Sequence, residues 1–330
     1  MADTLMANRV LVGDIGGTNA RFAIAAARAG GAIELSHVAV MPGGDFASFD
    51  AALKHYISSE DITPPGQALF ALSGPVGDGK VKLTHRDWLV DRRALEADIG
   101  FDLVRLVSDY AAMARAIPQL SESHFRVLHA GRAPDAPSPI LVAGPGTGLG
   151  MATLLPTGGG GWQVITGEGG QAAFAARKAR EWQLVEQLRQ AHGFVSNELL
   201  TAGIGLEPVH RALCEIDGVE WRRMMPDEII RRAKSGDQIC QDICDIRAAA
   251  TLAALGDAAL TNGTLGGVVI TGGVAEHLAD WLVQPKVLER FFERGIRRDY
   301  MLNMPIRLLQ SGQAPLIGAA ALYFDENGPA

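Results

Sequence analysis

This sequence is poor in cysteine, in clustered positive charge and in long apolar runs, and each shortage excludes something. Three cysteines, Cys214, Cys240 and Cys244, are too few for a disulfide framework. Cys240 and Cys244 stand four apart, which is the spacing of one helical face, and no His or Cys pair accompanies them at metal-ligand spacing. Arg222-Arg223, Arg231-Arg232 and Arg297-Arg298 are isolated pairs beside acidic residues in a chain of formal net charge −7, which argues against nucleic-acid binding. No apolar run approaches the roughly 20 residues of a membrane helix. The residues before Asn8 do not have the form of a signal peptide. A protein of the reducing cytoplasm, with no membrane or nucleic-acid partner, is the expectation.

What is present is a folded-protein composition: 330 residues, 48% hydrophobic and 20% charged, enough for one large domain or two lobes. The 39 glycines gather at turn positions and follow no collagen-like period. The first such turn lies in Val10-Leu-Val-Gly-Asp-Ile-Gly-Gly-Thr-Asn-Ala-Arg-Phe-Ala-Ile24, where an apolar run ends in Asp14, turns on Gly16 and Gly17, and resumes at Phe22. That is strand, tight turn, returning strand. Backbone N–H groups of such a turn, with the Thr18 hydroxyl, form a concavity suited to phosphate oxygens. Asp14 beside it suits Mg²⁺ held through water, because Mg²⁺ dehydrates reluctantly. The same short string also suits an ordinary glycine-rich hairpin.

The pattern then repeats. Ile140-Leu-Val-Ala-Gly-Pro-Gly-Thr-Gly-Leu-Gly-Met-Ala-Thr-Leu154 is again strand, Gly/Thr turn and strand. Between the two lie a third strand (31–40), a helix (46–57), a strand (68–72), a small arm (79–84), a helix (92–99) closed by Gly100, a strand (103–107), and a helix opened by Asp109 and stopped by Pro118. After the repeat come a strand at 162–166, helices near 179–191, 207–214 and 226–233, and the strongest helical pattern, 237–262. A strand with a second glycine turn follows at 266–274, then a strand at 305–309 and a closing helix at 316–324, expected to pack back on the first half. Two Gly/Thr hairpins of this kind are able to grip one polyphosphate from opposite sides. Met224-Met225 and the aromatic residues read as core, and His85 and His192 as loop or surface histidines.

Five pieces stand in order: Gly13-Asp-Ile-Gly-Gly-Thr18, Leu106-Val-Ser-Asp109, Gly144-Pro-Gly-Thr-Gly-Leu-Gly150, Gly167-Glu-Gly-Gly170 and Thr271-Gly-Gly273. Together they resemble the bacterial glucokinase family of the sugar-kinase/actin/chaperone-ATPase superfamily, over roughly Val10 to Ala320. The resemblance implies an α/β, two-lobed sugar-kinase/actin-like (ribonuclease-H-like) fold with a cleft between a small lobe, 1–112 plus 313–330, and a large lobe, 113–312. It implies ATP and Mg²⁺ as cofactors, with Gly13, Asp14, Ile15, Gly16, Gly17 and Thr18 as one phosphate turn and Gly146, Thr147 and Gly148 as the other. Gly272 and Gly273 would seat the adenosine, and Asp14 would hold Mg²⁺ through water. Asp109 falls at the family's catalytic base, although Asp is also a favoured helix N-cap. Ser108, Asp109, Glu168, Gln171 and Glu198 would bind the sugar. The implied reaction is transfer of the γ-phosphoryl group of ATP to the 6-hydroxyl of glucose, in a cytoplasmic homodimer of the glycolytic type.

Three departures from the family pattern cluster in the sugar half. Ser108 stands where the family has Asn, Gln171 where it has His, and Leu83-Thr-His-Arg-Asp-Trp88 where it has Leu-Thr-Asn before a nearby Trp. They leave open a kinase for another hexose or an amino sugar, or a sugar-binding regulator with weakened catalysis.

Overall fold

The computed structural model describes residues 9–28, 31–77, 79–84, 86–132 and 134–327. Its contacts group the chain into two compact units. One comprises the chain up to Glu122, Trp162–Thr166 and the chain from Ser311; the other comprises Ser123–Gly161 and Gly167–Gln310. Where the resemblance places a lobe boundary at 112/113, the helix Asp109–Ala116 stays whole inside the first unit. It packs there on the last helix, Ala314–Asn327, so closely that a Cβ on Gly318 would collide with the Ala112 carbonyl.

The first unit has a five-stranded sheet built from β1 (Arg9–Ile15), β2 (Asn19–Ala27), β3 (Ile33–Pro42), β4 (Gln67–Leu72) and β7 (Leu103–Ser108), in the order β3-β2-β1-β4-β7. The short strands β5 (Lys80–Lys82) and β6 (Leu89–Asp91) pair separately as the small arm. The strand period of two explains why β1 and β4 read as unbroken apolar runs. Leu11, Ile15, Phe70 and Leu72 face one core with Phe22, Phe49 and Tyr56. Val10, Val12, Leu69 and Ala71 face another, with Ala112, Leu316, Ala319 and Phe324. The closing helix therefore packs back on the first half, as expected. Alanines on that second face let both helices approach the sheet.

In the second unit β10 (Leu149–Pro156), β9 (Ile140–Pro145), β12 (Gly267–Ile270), β13 (Ile306–Leu309) and β8 (Phe125–His129) run side by side in that order. The strand expected at 162–166 is present as β11 (Trp162–Gly167). The long helix Gln238–Asn262 crosses the core, with Asp237 accepting from the Cys240 N–H at its start and Gly263 at φ 62° after its end. It buries Cys240 and Cys244 as free thiols; burial pushes both up to about 12, so neither is a ready nucleophile.

Several expectations need correction. Met225 is 64% exposed, and Trp182 and Phe194 are also largely exposed, so these are not core residues. His85 lies outside the described residues. β8 was not expected, nor were the short helices Asn197–Thr201, Gly273–His277, Ala279–Leu282, Pro285–Phe292 and Arg298–Leu302.

Candidate active site

In the first unit, β1, β4 and β7 are parallel neighbours whose carboxyl ends are level: Ile15 is opposite Leu72, and Leu72 opposite Ser108. The Gly16–Thr18 turn and Asp109 therefore leave the same edge of one sheet, two inter-strand steps of about 4.8 Å apart. The carboxyl ends of parallel strands are where open α/β sheets bind ligands. Gly13 keeps β1 flat against the core, because a Cβ there would press on the Phe70 and Phe22 rings. Gly16 N–H closes the turn onto the Asn19 carbonyl at 3.0 Å, while Thr18 stays exposed.

Asp14 is 6% exposed and is paired with Arg21, whose Nη1 donates to Oδ2 at 2.8 Å. Arg21 is its cross-strand partner in the β1–β2 register. Burial raises the Asp14 carboxyl above the ordinary value, against the opposing pull of Arg21. Oδ2 is committed to Arg21, and the donor set left for a hard cation is Oδ1, which fits a water-mediated Mg²⁺ contact.

Asp109 opens the helix Asp109–Ala116 without being its cap. Ser108 is the cap, its Oγ accepting from the Tyr110 N–H at 3.2 Å. Asp109 Oδ1 also accepts from that N–H, at 2.8 Å. The helix is clamped at its far end by Arg115, which donates through Nε and Nη2 to Asp325 at 2.6 and 2.7 Å. A half-buried carboxylate is thus fixed at a sheet edge on a helix that does not need it as a cap.

Arg86 is a contributor that sequence reasoning missed. Its Nη2 donates to the carbonyls of Gly17 at 2.8 Å and Thr18 at 3.2 Å, and its guanidinium lies 4.5 Å from the Trp88 ring centre. By occupying the carbonyls of the turn it holds the peptide N–H groups on the other side. Replacing Arg86 with alanine is expected to weaken anion binding at this turn about fivefold, since a charge-assisted bond at a part-exposed site contributes about 1 kcal/mol; calorimetric titration with tripolyphosphate checks this.

The second unit repeats the device. Pro145 and Leu149 pair across the turn Gly146-Thr147-Gly148, closed by Gly146 N–H to the Gly148 carbonyl at 2.8 Å. On the neighbouring parallel strand the chain leaves Ile270 into Thr271, Gly272 and Gly273. Only glycine suits position 272, which has φ +95° and a Cβ direction blocked by the Pro145 carbonyl. Gly272 and Gly273 are thereby set against the Gly146–Gly148 turn.

On the other side of that turn, Gly203 N–H donates to the Gly146 carbonyl at 2.8 Å and Ile204 N–H to the Thr147 carbonyl at 3.2 Å. Beyond them is a recess of about 290 Å³ lined by Gly203, Ile204, Trp221, Met224 and Met225, among others. Glu198 sits in the first turn of the Asn197–Thr201 helix, with Ser196 as cap. Its Oε2 accepts from the Leu149 N–H at 2.7 Å and its Oε1 from Gln171 Nε2 at 2.8 Å. Gln171 is therefore engaged in holding Glu198. Glu168 is exposed at the start of the 3₁₀ turn Gly169–Gln171, which lies so close to β10 that a Cβ on Gly170 would strike the Leu149 carbonyl.

The structure thus gathers Gly13, Asp14, Ile15, Gly16, Gly17, Thr18, Ser108 and Asp109 at one sheet end. It gathers Gly146, Thr147, Gly148, Glu198, Gln171, Gly272 and Gly273 at another, with Glu168 three residues before Gln171.

Two Gly/Thr hairpins, each on a mixed sheet with helices against it, place the chain in the sugar-kinase/actin-like fold class. Solved structures agree. A glucokinase from an Antarctic psychrotroph superposes with a TM-score of 0.83 at 33% identity, covering 96% of this chain and 99% of that one. A ROK hexokinase from Thermus thermophilus shares the fold at 19% identity and a TM-score of 0.65, covering 97% and 99%. The glucokinase family model matches residues 11–326. A glucokinase of Chromobacterium violaceum is 33% identical over 97% of this chain and 90% of its own length, and one of Stenotrophomonas maltophilia is 34% identical over 96% and 95%. The chain belongs to the glucokinase family and is a kinase.

Proposed function

We propose that the protein transfers the γ-phosphoryl group of ATP to the 6-hydroxyl of glucose, giving glucose 6-phosphate. The observation that carries this reading is the shared sheet edge, where an anion-cradling turn and a fixed carboxylate stand about two strands apart. Phosphoryl transfer needs mainly positioning and charge neutralisation, plus a group to take the proton of the attacking hydroxyl.

In this reading the N–H groups of Gly17 and Thr18 in the first turn and of Thr147 and Gly148 in the second bind phosphate oxygens, and Asp109 accepts the hydroxyl proton at a carboxylate oxygen. Glu198 and Glu168 accept hydrogen bonds from sugar hydroxyls, at charge-assisted strength. Ser108 and Gln171 act beside them, the first capping the Asp109 helix and the second holding Glu198. Asp14 Oδ1 would order a water of Mg²⁺, which when bound neutralises charge on the phosphates. The adenosine would pass Gly272 and Gly273 toward the apolar recess at Ile204 and Met224. A homodimeric state and a cytoplasmic location complete the proposal, supported by the resemblance. Sedimentation tests the dimer.

The expected result is ADP release that requires both glucose and Mg²⁺ and stops on chelation with EDTA, read in a coupled assay over a panel of hexoses. No turnover above background on any sugar would overturn the kinase reading. A better kcat/KM with an amino sugar than with glucose would move the substrate and leave the chemistry.

A further inference from the structure

Arg247 has no part in the roles above, yet it is one of the most deeply buried cations of the second unit, 3% exposed on the long helix Gln238–Asn262. A guanidinium taken out of water costs several kcal/mol unless its environment compensates. Its bonded partners are carbonyl oxygens: Nη2 donates to Thr201 and to Ala202, both at 2.8 Å. Burial lowers its pKa to about 10, which still leaves it charged at neutral pH.

Those two carbonyls end the Asn197–Thr201 helix, where a cation is favoured by the orphan carbonyls of the last turn. One turn back is Glu198, whose carbonyl accepts from the Ala202 N–H at 2.9 Å. One residue on is Gly203, whose N–H holds the Gly146 carbonyl of the phosphate turn. The circuit closes at the other end of that turn, where the Leu149 N–H meets the Glu198 carboxylate. Arg247 thus fixes the hinge point between the proposed sugar carboxylate and the proposed phosphate turn.

We infer that Arg247 is a positioning residue that locks Glu198 to the Gly146–Gly148 turn, so that glucose and nucleotide bind cooperatively within this unit. The inference rests on the functional reading above. When nucleotide orders the turn, the Gly203 and Leu149 links order Glu198 with it. By linkage, glucose then orders the turn for nucleotide to the same degree. Lysine at 247 keeps the charge, but its side chain is one bond shorter and falls short of the point where Nη2 meets both carbonyls. Glutamine keeps a donor and loses the charge.

The test is calorimetric titration of glucose with and without saturating Mg²⁺–AMP-PNP. In the wild type, AMP-PNP is expected to tighten glucose about tenfold, within the usual range for linked sites. In Arg247→Lys and Arg247→Gln the factor falls to within about twofold of unity, and KM for both substrates rises together while kcat at saturation falls less. Gly203→Ala leaves Arg247 in place and strains the next link, because its Cβ would lie 3.2 Å from the Gly146 carbonyl, which must give by a few tenths of an ångström; it is expected to weaken the same coupling. Should Arg247→Gln fail to fold, Arg247→Lys and Gly203→Ala decide. A folded Arg247→Lys with lowered Tm but unchanged coupling would reduce Arg247 to a structural residue, and so would absence of coupling in the wild type. Either result with normal glucose-dependent ADP release overturns this inference alone; absence of that release overturns the functional reading itself.

Discussion

Asp109→Asn is expected to lower kcat for glucose phosphorylation by about 10²–10⁴-fold, the usual range for removing a general base. KM for glucose should change little by comparison. The substitution is nearly isosteric and keeps an oxygen able to accept the Tyr110 N–H that Asp109 Oδ1 now holds. The helix start is also secured independently by Ser108, and its far end by the Arg115–Asp325 pair. The thermal midpoint should therefore stay close to that of the wild type, which separates a catalytic loss from an unfolded enzyme. Because phosphoryl transfer is governed by positioning and charge neutralisation, a carboxylate of ordinary basicity suffices. A kcat for Asp109→Asn within about threefold of wild type, far below the contribution of a general base, would remove Asp109 from that role.

The fold was legible where burial is two-sided and turns are glycine-marked. β1, β4 and β9 announce themselves as apolar runs because both faces are covered, and Gly100, Gly263 and Gly272 mark places where the backbone takes positive φ. β8 carries a mixed pattern, Phe-Arg-Val-Leu-His, with no residue fully buried, so neither alternation nor a continuous run signals it. The helices Gly273–His277, Ala279–Leu282 and Arg298–Leu302 are too short to show a period, whereas Pro285–Phe292 carries the signal, with Pro at its start and Val287, Phe291 and Phe292 buried at helical spacing. Trp182, Phe194 and Met225 illustrate another limit, because large apolar side chains are placed by the fold and not by their type.

The site was legible to the extent that chemistry sits in the turns themselves. Arg21 was within reach of the sequence, since a four-residue turn after Ile15, Gly16 to Asn19, sets Asp14 opposite it in the strand register. Arg86 and Arg247 were not. Each acts on carbonyls distant in sequence, Arg86 on Gly17 and Arg247 on Thr201, and nothing in a sequence distinguishes such arginines from solvated ones. Ser108 shows a subtler case. The residue that departs from the family pattern takes the capping role that sequence reasoning had offered to Asp109, and the aspartate is left with its carboxylate at the sheet edge.

Glu198 is where an amide and an alanine should part ways. Both carboxylate oxygens accept N–H donors, one from the Leu149 backbone and one from Gln171. In Glu198→Gln the new amide oxygen is able to keep the Leu149 N–H, and the new NH₂ is satisfied if Gln171 rotates its own amide to present oxygen. The local network survives, and what is lost is the negative charge offered to sugar hydroxyls. KM for glucose is expected to rise about 10- to 100-fold, since hydrogen bonds to charged groups contribute about 1.5–3 kcal/mol, with KM for ATP and the thermal midpoint nearly unchanged. In Glu198→Ala the Leu149 N–H, on a residue only 4% exposed, loses its acceptor at the edge of the Gly146–Gly148 turn. An orphaned buried donor costs about 1–3 kcal/mol, so the midpoint falls and KM rises for ATP as well as glucose. Equal effects of the two variants on ATP would mean that Glu198 does not tie the sugar side to the turn. An unchanged KM for glucose in Glu198→Gln would mean that the carboxylate is a brace for Leu149 and not a sugar ligand.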